Sequence, residues 1–464
     1  MPSVTPTAGR VPETGIRHLY QLESRWQAWL DVEAALARAQ AQLGLIPASA
    51  ADRIAQVAQL EALNRDAIDA ATLRTSHPLV PLVWELARVA GEPAGGWVHW
   101  GATTQNIVQT GDALVLRRAH RVFLGLLADC LSSAADLAEA HAETPMAGRT
   151  HGQHAVPTTF GFKVATWVDE LSRQSERLRQ LEGRVFVVLL GGAVGNFAAT
   201  GPDGVAVQRA VGAALGLTPM PVPARSIADH LAEYVTALGL LAGTVSKIAR
   251  EIYTLMKTEF GEVEEPLPNG TVGSSTMPQK RNPQLCQDMI ASAAQVRAAV
   301  SLALEGMQIE HEADRSRSLM LQEATQVACV ATGDILARLS VVLAGLKVDA
   351  GRMRSNLDLT SGLIMSEAVM MGLAVRLGRQ RAHDVVYEAG QRAAVEGLDF
   401  GDILRSDPRI QAVLDEQALA DSLDPAHHLG QSPALARAAA AWGRRAVAEL
   451  RQHLAAEMSG DPDD

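Results

Sequence analysis

The segment 273–283, GSSTMPQKRNP, concentrates side chains that can do acid–base chemistry. It combines a serine pair with Lys280 and Asn282 and shows no regular periodicity. Glycine and serine permit tight turns whose backbone N–H groups converge on an anion, while Pro278 and Pro283 interrupt helices on either side. The pattern indicates a loop in which a hydroxyl, an ammonium group and an amide act together. A surface turn that caps a helix at Pro283 is the alternative.

Two further segments carry polar groups of the kinds that bind carboxylates or move protons. In the segment 99–106, HWGATTQN, hydroxyls and amides precede a helix predicted from about Asp112. Hydroxyls and free N–H groups near a helix N-terminus favour a bound anion, although the same residues are ordinary helix caps.

The segment 148–157, GRTHGQHAVP, contains two imidazoles in a predicted loop just ahead of a helix that Pro157 opens. Imidazole suits proton transfer near neutral pH. His151 and His154 are also spaced as a metal pair could be, but no acidic or thiol ligand lies near them in the sequence. A metal site is therefore disfavoured, and a structural histidine pair is the stronger alternative.

These three segments, in this order and at this approximate spacing, resemble the signature regions of the fumarase/aspartase superfamily. The likeness extends from about Trp26 to His383 and is greatest for the branch of 3-carboxy-cis,cis-muconate cycloisomerase and adenylosuccinate lyase. It implies that a proton is removed from the carbon next to a carboxylate, through an aci-carboxylate intermediate, before the group on the adjacent carbon leaves. Donors aimed at that carboxylate must then supply much of the barrier reduction.

The resemblance assigns residue roles as well. It makes Ser274 the base, with loop N–H groups and Lys280 stabilising its oxyanion. His77 follows Thr75-Ser76, where a capping role is an equal alternative. The predicted site comprises catalytic Ser274, His151 and Lys280 and substrate-binding Thr103, Thr104, Gln105, Thr150, Asn282, His77 and His99, with no metal and no cofactor.

Helical periodicity dominates the chain. Apolar residues from Leu116 to Cys130 recur every three or four positions, and similar patterns follow Pro157, Ser226…Asp229, Pro283 and Leu319. Five long helices and few two-residue alternations predict an all-α fold, with the Gly-rich piece 190–204 irregular. The resemblance implies that the long helices form a multi-helix core in a homotetramer, with each active site shared by three subunits.

The predicted organisation is an N-terminal helical domain at 1–110, a central long-helix bundle with the loop at 111–349 and a small helical C-terminal domain at 350–464. Both chain ends are predicted to fray.

Composition limits the partners of the chain. The formal net charge is −11 over 464 residues without a basic cluster, which argues against nucleic acid. Three separated cysteines suggest neither a disulfide framework nor a zinc site and fit a reducing cytoplasm. No uninterrupted apolar stretch of membrane-spanning length is evident, so no membrane partner is expected. A small dicarboxylate is the expected substrate.

Departures from the superfamily pattern bear on the leaving group. Gln287 stands where lyases that expel poor leaving groups carry a glutamate paired with the motif histidine, so the proton donor is unidentified. Asn106 and Gln109 replace aspartates that would suit a cationic amine. These three positions favour a group that leaves with little proton assistance, such as nitrite from a nitrosuccinate, in a fumarate-forming C–N lyase.

Three other functions are weighed against this one. A 3-carboxy-cis,cis-muconate cycloisomerase would use related proton chemistry, but retention of His151 favours elimination. An adenylosuccinate-type lyase is disfavoured because an Arg-Tyr-rich nucleotide segment is missing and Gln322 replaces an expected arginine, leaving a phosphate without cations. A non-catalytic structural homologue would be expected to lose Ser274, Lys280 or Asn282, and all three are present.

Overall fold

The computed structural model describes residues 6–268, 270, 276–277 and 279–459. Ser274, the predicted base, lies outside the described residues. Helices α1 to α18 span Ile16–Leu19, Leu22–Gln42, Ala48–Val57, Arg65–Thr75, Val80–Ala90, Thr104–Ala140, Phe160–Val185, Gly204–Leu215, Asp229–Leu255, Gln284–Gly306, Arg315–Gly345, Ala350–Leu357, Ser366–Leu377, Arg379–Glu396, Phe400–Ser406, Pro408–Gln411, Glu416–Leu423 and Ser432–Ser459. Strands β1 to β6 span Pro145–Thr150, Gln153–Thr159, Val187–Val188, Thr218–Pro219, Val263–Glu264 and Lys347–Val348.

The predicted all-α fold and its five long helices are confirmed. Helices α6, α7, α9, α10 and α11 pack against one another as a bundle. Their apolar positions recur every three or four residues, so each helix presents a continuous apolar face, and Phe123, Leu127, Leu241 and Val245 are fully buried. Burial of these faces is the main source of stability, at about 25 cal/mol per Å² of apolar surface removed from water.

Two bundle helices are more apolar than the sequence expectation allowed. By length and composition alone, α9 and α11 could each cross a membrane. Within the described part of the chain, however, 67% and 72% of their most apolar windows are buried by neighbouring helices. Packing inside the protein therefore already accounts for much of their hydrophobicity.

The histidine segment is an antiparallel hairpin, not the predicted loop before a helix. Strands β1 and β2 pair from Pro145↔Thr159 to Thr150↔Gln153, and α7 begins three residues after Pro157. The two turn residues, His151 and Gly152, have φ of 52° and 78°. Positive φ at both central residues is what a two-residue hairpin turn of the primed type requires. Short-range alternation was too weak in this segment to reveal the pairing.

Two expectations about helix and chain ends are also wrong. Helix α9 begins at Asp229 with Ala228 as its N-cap and without a side-chain cap, so Ser226 and Asp229 do not form the predicted capping box. The N-terminal residues Pro6–Arg10 form a short 3₁₀ helix instead of fraying, and Thr7 is buried there between Asp288 and Arg338.

The C-terminal segment contributes to two separate cores. Residues from Val369 to Leu419 on α13 to α17 form an apolar cluster of their own. Helix α18 then returns to pack along α6 and α7, where Ala440 and Leu450 join the main core. The predicted domain boundaries stay a prediction.

The two flanks of the signature loop are joined by one buried carboxylate. Glu265 accepts hydrogen bonds from the backbone N–H groups of Leu285 at 3.1 Å and Cys286 at 3.2 Å, in the first turn of α10. Arg10 reinforces the junction by donating to the Pro266 carbonyl at 2.8 Å and to Gln284 Oε1 at 2.9 Å. The helix end and the strand-bearing segment before the loop are thus held at a fixed separation.

We expect Glu265→Ala to destabilise the protein by about 2 kcal/mol, because two helix N–H groups and Arg10 lose a buried anionic acceptor. Glu265→Gln keeps one acceptor oxygen and should lose less stability than Glu265→Ala. Chemical denaturation measures the free energy of unfolding of both variants. Glu61→Ala, at an exposed position without a hydrogen bond to other described residues, is the matched control. Equal stability of the Ala variants at 61 and 265 would contradict the capping role.

Candidate active site

A cavity of about 960 Å³ opens where the ends of several helices meet. It is formed by α2, the α4–α5 connection, the first turns of α6, the start of α9 and the start of α11. Its polar and charged lining includes Arg25, His77, Thr103, Thr104, Gln105, Gln109, Asp112, Arg225, His230, Arg315, Ser318 and Gln322. Trp26 and Trp29 supply an aromatic wall.

The threonine segment lies at the N-terminus of α6, the longest described helix. Thr103 is the N-cap, and its side chain and that of Asn106 form a reciprocal capping box. Thr104 begins the helix, and both threonines line the cavity. The positive end of the α6 dipole and two hydroxyls therefore face the same space, an arrangement that favours a carboxylate.

Gln105 lines the cavity as well, and it positions a cation there. Its Oε1 accepts from Arg225 Nε at 2.8 Å, while Arg225 Nη1 donates to the Ala193 carbonyl at 3.0 Å. Burial lowers the pKa of Arg225 from its ordinary value, but an arginine remains charged under all physiological conditions.

His77 has the capping role that the sequence offered as an alternative, and substrate binding by His77 stays a prediction. Its Nδ1 accepts from the backbone N–H groups of Leu79 at 3.3 Å and Val80 at 3.0 Å, which caps the start of α5. This acceptor role leaves the ring proton of a neutral imidazole on Nε2. Because His77 also lines the cavity, Nε2–H is the edge of the ring that can serve as a donor to a ligand.

His99 lies outside the set of residues that line the cavity. Its Nδ1 is 2.6 Å from Oε1 of Glu33, which is 2% exposed. Burial by itself lowers the pKa of His99, but the hydrogen bond and the charge of Glu33 outweigh that effect and raise it above its ordinary value. The pair joins α2 to the segment before α6; substrate contact by His99 stays a prediction.

His151 and Thr150 are exposed at the tip of the β1–β2 hairpin and do not line this cavity. The preceding residue, Arg149, anchors the hairpin instead: its Nη2 is 2.6 Å from Oε1 of fully buried Glu262. Asn356 Nδ2 donates to the same oxygen at 2.7 Å. The hairpin is thus anchored at Arg149, and the imidazole of His151 at its tip is exposed.

Lys280 and Asn282 lie on the α10 side of the signature loop and are likewise absent from the cavity lining. Lys280 is exposed, and its backbone N–H donates to the Met277 carbonyl at 3.0 Å. Asn282 is half-buried, and its carbonyl accepts from the Gln284 N–H at 2.9 Å. Within one chain the structure therefore brings together His77, Thr103, Thr104 and Gln105, but not His151, Thr150, Lys280 or Asn282.

Sequence reasoning missed the cationic wall of the cavity. Arg25 pairs with Asp112 through contacts of 3.0 to 3.2 Å. The Gln322 carboxamide lies against the same guanidinium, where the hydrogen-bond network assigns its oxygen as the acceptor. Burial raises the pKa of Asp112, and Arg25 offsets only part of that effect. Arg225 and Arg315 also line the cavity. Its described lining residues therefore include three arginines and one carboxylate, that of Asp112. The expectation that a phosphate would lack cations here is therefore wrong.

His230 is a second residue that the sequence analysis did not single out. Burial lowers its pKa, and the neighbouring Asp229 and Glu233 offset only part of that effect, so the ring is neutral at pH 7. Its buried Nδ1 has no hydrogen-bond partner among the described residues, and the side chain lines the cavity. A neutral imidazole in this position can accept or donate a proton. No spacing signal distinguishes it from other helix-start histidines.

The three positions that guided the leaving-group argument have different surroundings. Asn106 is fully buried, and its Oδ1 accepts a hydrogen bond from the Gly192 backbone N–H at 3.1 Å. Its amide therefore has a structural role. Gln109 lines the cavity, and its buried Oε1 has no partner in the described part of the chain. Gln287 is exposed in the first turn of α10. The argument accordingly rests on Gln109 and Gln287 alone.

Away from the cavity, Glu182, His453 and Glu457 place three potential metal ligands within 4.8 Å of one another. The carboxylates already have partners: His120 Nε2 lies 3.1 Å from Glu182, and Arg121 Nε lies 3.3 Å from Glu457. These contacts compete with an ion for the same oxygens.

Comparisons with known proteins identify the family. The sequence profile of the family described as Lyase matches residues 10–298, and that described as Adenylosuccinate lyase C-terminus matches residues 362–439. The chain belongs to the fumarase/aspartase superfamily of lyases.

Individual relatives in this superfamily have different activities. The chain is 37% identical to N-acetyl-S-(2-succino)cysteine lyase of Dickeya dadantii, over 90% of this chain and 92% of that protein. It is 40% identical to 3-carboxy-cis,cis-muconate cycloisomerase of Pseudomonas aeruginosa, over 94% of each. The crystal structure of 3-carboxy-cis,cis-muconate lactonizing enzyme from Pseudomonas putida superimposes with a TM-score of 0.88 at 37% identity, covering 95% of this chain and 99% of that one.

The His99–Glu33 pair makes stability depend on pH. Because the folded pKa of His99 is raised, its stabilising effect is complete below the unfolded value of about 6.5 and is lost as pH rises through the folded pKa. We expect His99→Asn, which tolerates the φ of 62° at this position, to cost up to about 2 kcal/mol near pH 6 and less at pH 8. Thermal unfolding against pH measures the difference, with exposed His383→Asn as control. A difference that does not vary with pH would contradict a charged pair.

Proposed function

We propose that this protein catalyses β-elimination from a substituted succinate to give fumarate. The single observation that carries the proposal is the cavity in which Thr103 and Thr104 at the α6 N-terminus, the Nε2 edge of His77 and three arginines converge. This arrangement suits a dianionic substrate, since hydroxyls, a helix dipole and guanidinium groups all favour carboxylates.

In the proposed reaction, Ser274 in its alkoxide form removes the proton from the carbon next to one carboxylate. The electron pair of that C–H bond passes into the carboxylate as an aci-carboxylate, which Lys280, Asn282 and the threonine hydroxyls stabilise. The pair then forms the C=C bond, and the bond to the substituent on the adjacent carbon breaks. That substituent leaves with its bonding electrons, and fumarate remains.

The proposal requires more than one chain for each site. His151 and Thr150 project from the hairpin on the outside of their own chain, while the threonine cavity of that chain has no imidazole of this motif. We propose a cytoplasmic homotetramer in which the hairpin and signature loop of neighbouring subunits complete the cavity. The outward imidazole and its rigid anchor at Glu262 support this arrangement.

The leaving-group proposal rests on two glutamines, Gln287 and Gln109. Gln287 is neutral, so it cannot stabilise a protonated His151 as a glutamate would. Gln109 is also neutral and adds no negative charge to the cavity. Both features favour a substituent that departs as a stable anion. Nitrite from a nitrosuccinate-type substrate is the first candidate. The reaction would then cleave a C–N bond.

A thiolate is the second candidate. Thiols are far more acidic than amines, so a thiolate also leaves without strong acid assistance. The relative from Dickeya dadantii is named as a succinocysteine lyase. The cavity of about 960 Å³, with Trp26 and Trp29 in its wall, can hold a substituent much larger than nitrite. Cycloisomerisation of a carboxymuconate is the alternative that the 40% identical relative favours.

Sharing of the site is tested by mixing variants. We expect Thr104→Val and His151→Ala each to reduce kcat by roughly 10²- to 10⁴-fold. Mixed oligomers formed from equal amounts of both should regain about a quarter of the wild-type rate, since random assortment leaves about one site in four intact. Mixing Thr104→Val with Ser274→Ala serves as a second pair, and each variant refolded alone is the control. No recovery in mixed oligomers of confirmed composition would contradict a shared site.

Substrate choice is tested by measuring kcat/KM with fumarate detection. Nitrosuccinate and N-acetyl-S-(2-succino)cysteine should exceed aspartate, argininosuccinate and adenylosuccinate by at least about tenfold, because their leaving groups need less protonation. Gln287→Glu should narrow that gap, whereas exposed Gln180→Glu should not. Preferred turnover of 3-carboxymuconate without fumarate would establish the cycloisomerase alternative, and preferred turnover of aspartate would contradict the leaving-group argument.

A further inference from the structure

The three arginines in the described lining of the candidate active site differ in how far their charge is compensated. Arg25 is paired with the Asp112 carboxylate through contacts of 3.0 to 3.2 Å, so this pair adds little net charge to the cavity. Arg315 is exposed in the first turn of α11, where water screens its charge. Arg225 is half-buried and makes no ion pair with the rest of the described chain. Its charge is therefore the most available of the three to a bound anion.

Two uncharged oxygen atoms hold the Arg225 guanidinium in place. Gln105 Oε1 accepts hydrogen bonds from Nε, at 2.8 Å, and from Nη2, while the Ala193 carbonyl accepts from Nη1 at 3.0 Å. Because arginine has two N–H groups on each Nη atom, one N–H on each remains for a ligand. The guanidinium is thus fixed in position, and neither partner neutralises its charge.

Gln105 links this cation to the threonine segment. It follows Thr104 in the first turn of α6, and both residues line the cavity together with Arg225. Because an arginine can only donate hydrogen bonds, the contact identifies the carboxamide oxygen of Gln105, and Arg225 uses that oxygen. The contact places the guanidinium beside the helix N-terminus that favours a carboxylate. Gln105 therefore holds a cation where an anionic ligand is expected.

The polar groups at this end of the cavity differ in the ligands that they can discriminate. A threonine hydroxyl can donate or accept a hydrogen bond, so Thr103 and Thr104 can bind an amide or ester carbonyl as well as a carboxylate. A guanidinium only donates, and an uncharged ligand group leaves its charge unbalanced. An amide also offers one acceptor oxygen where a carboxylate offers two. Arg225 can therefore separate an acid from an uncharged derivative of the same shape.

We propose that Arg225 is a specificity-determining residue for the carboxylate that binds at the α6 N-terminus, and that Gln105 is its positioning residue. The proposal rests on the proposed function, in which one carboxylate of a substituted succinate binds at this end of the cavity. Substrates with a free acid at this end are bound, and the corresponding amides and esters are bound more weakly. The substrate class is thereby narrowed to free dicarboxylic acids.

The test measures the binding of fumarate and of fumaramate, its monoamide, to the full-length protein by titration calorimetry. The two ligands have nearly the same shape and differ by one charge. Since fumaramate can bind with either end at the α6 N-terminus, the readout is the ratio of the two Kd values. The wild type should prefer fumarate by about tenfold or more, because the amide loses a charge-assisted contact. Arg225→Gln should bring the ratio close to one.

Variants of Gln105 test the charge and the positioning separately. Gln105→Glu keeps the acceptor but pairs Arg225 with a carboxylate, so it should also bring the ratio close to one while the guanidinium is still present. Gln105→Met removes the acceptor and should weaken fumarate binding, but it should cause no further weakening when combined with Arg225→Gln. A residue that acts only through Arg225 produces this lack of additivity. Arg209→Gln, at an exposed position on α8 outside the cavity, is the matched control and should keep the wild-type ratio.

The results separate this proposal from the proposed function. A wild-type ratio near one, or an unchanged ratio in both Arg225→Gln and Gln105→Glu, would overturn the role of Arg225, whether or not the protein releases fumarate from substituted succinates. Further weakening by Gln105→Met in the Arg225→Gln background would overturn the positioning role of Gln105. The expected ratios in a protein that releases no fumarate from any substituted succinate would support the carboxylate site and contradict the elimination.

Discussion

The rest of the structure depends on burial of the apolar faces of the long helices. A helix of 27 to 37 residues, such as α9 or α6, has more apolar surface than water tolerates, and it must pack along most of its length against similar helices. The interior of the bundle is therefore mostly apolar. The candidate site lies at its edge, where the ends of α2, α6, α9 and α11 meet.

Buried ion pairs hold these connections where the site needs them. Glu265 fixes both flanks of the signature loop, Glu262 anchors the histidine hairpin through Arg149, and Glu33 holds His99 in the segment before α6. Each carboxylate is nearly inaccessible to water, and loss of any partner would leave a buried charge unpaired. The positioning of the candidate site and the stability of the fold are thus coupled through the same few residues.

Much of the fold could be predicted from the sequence, because amphipathic periodicity is a local signal that long helices repeat many times. The pattern from Asp112 to Cys130 predicted the body of α6, but the helix begins earlier, at Thr104. Pro283 predicted the start of α10. The hairpin at β1–β2 was missed because it is short and its turn depends on positive φ at His151, which histidine rarely adopts. Ser226 was misassigned as a cap because a capping pattern in sequence does not specify where the chain enters a helix.

By itself the sequence determined the helical class, the superfamily and the chemical character of the three polar segments, since each of these depends on residues close together in the chain. Only the tertiary structure decided which polar groups share a cavity. It placed Arg25, Arg225 and His230 beside Thr104, made Asn106 a structural amide, and turned His151 outward. Such neighbourhoods arise from packing between residues that are far apart in the chain, and no local pattern encodes which helix ends will meet.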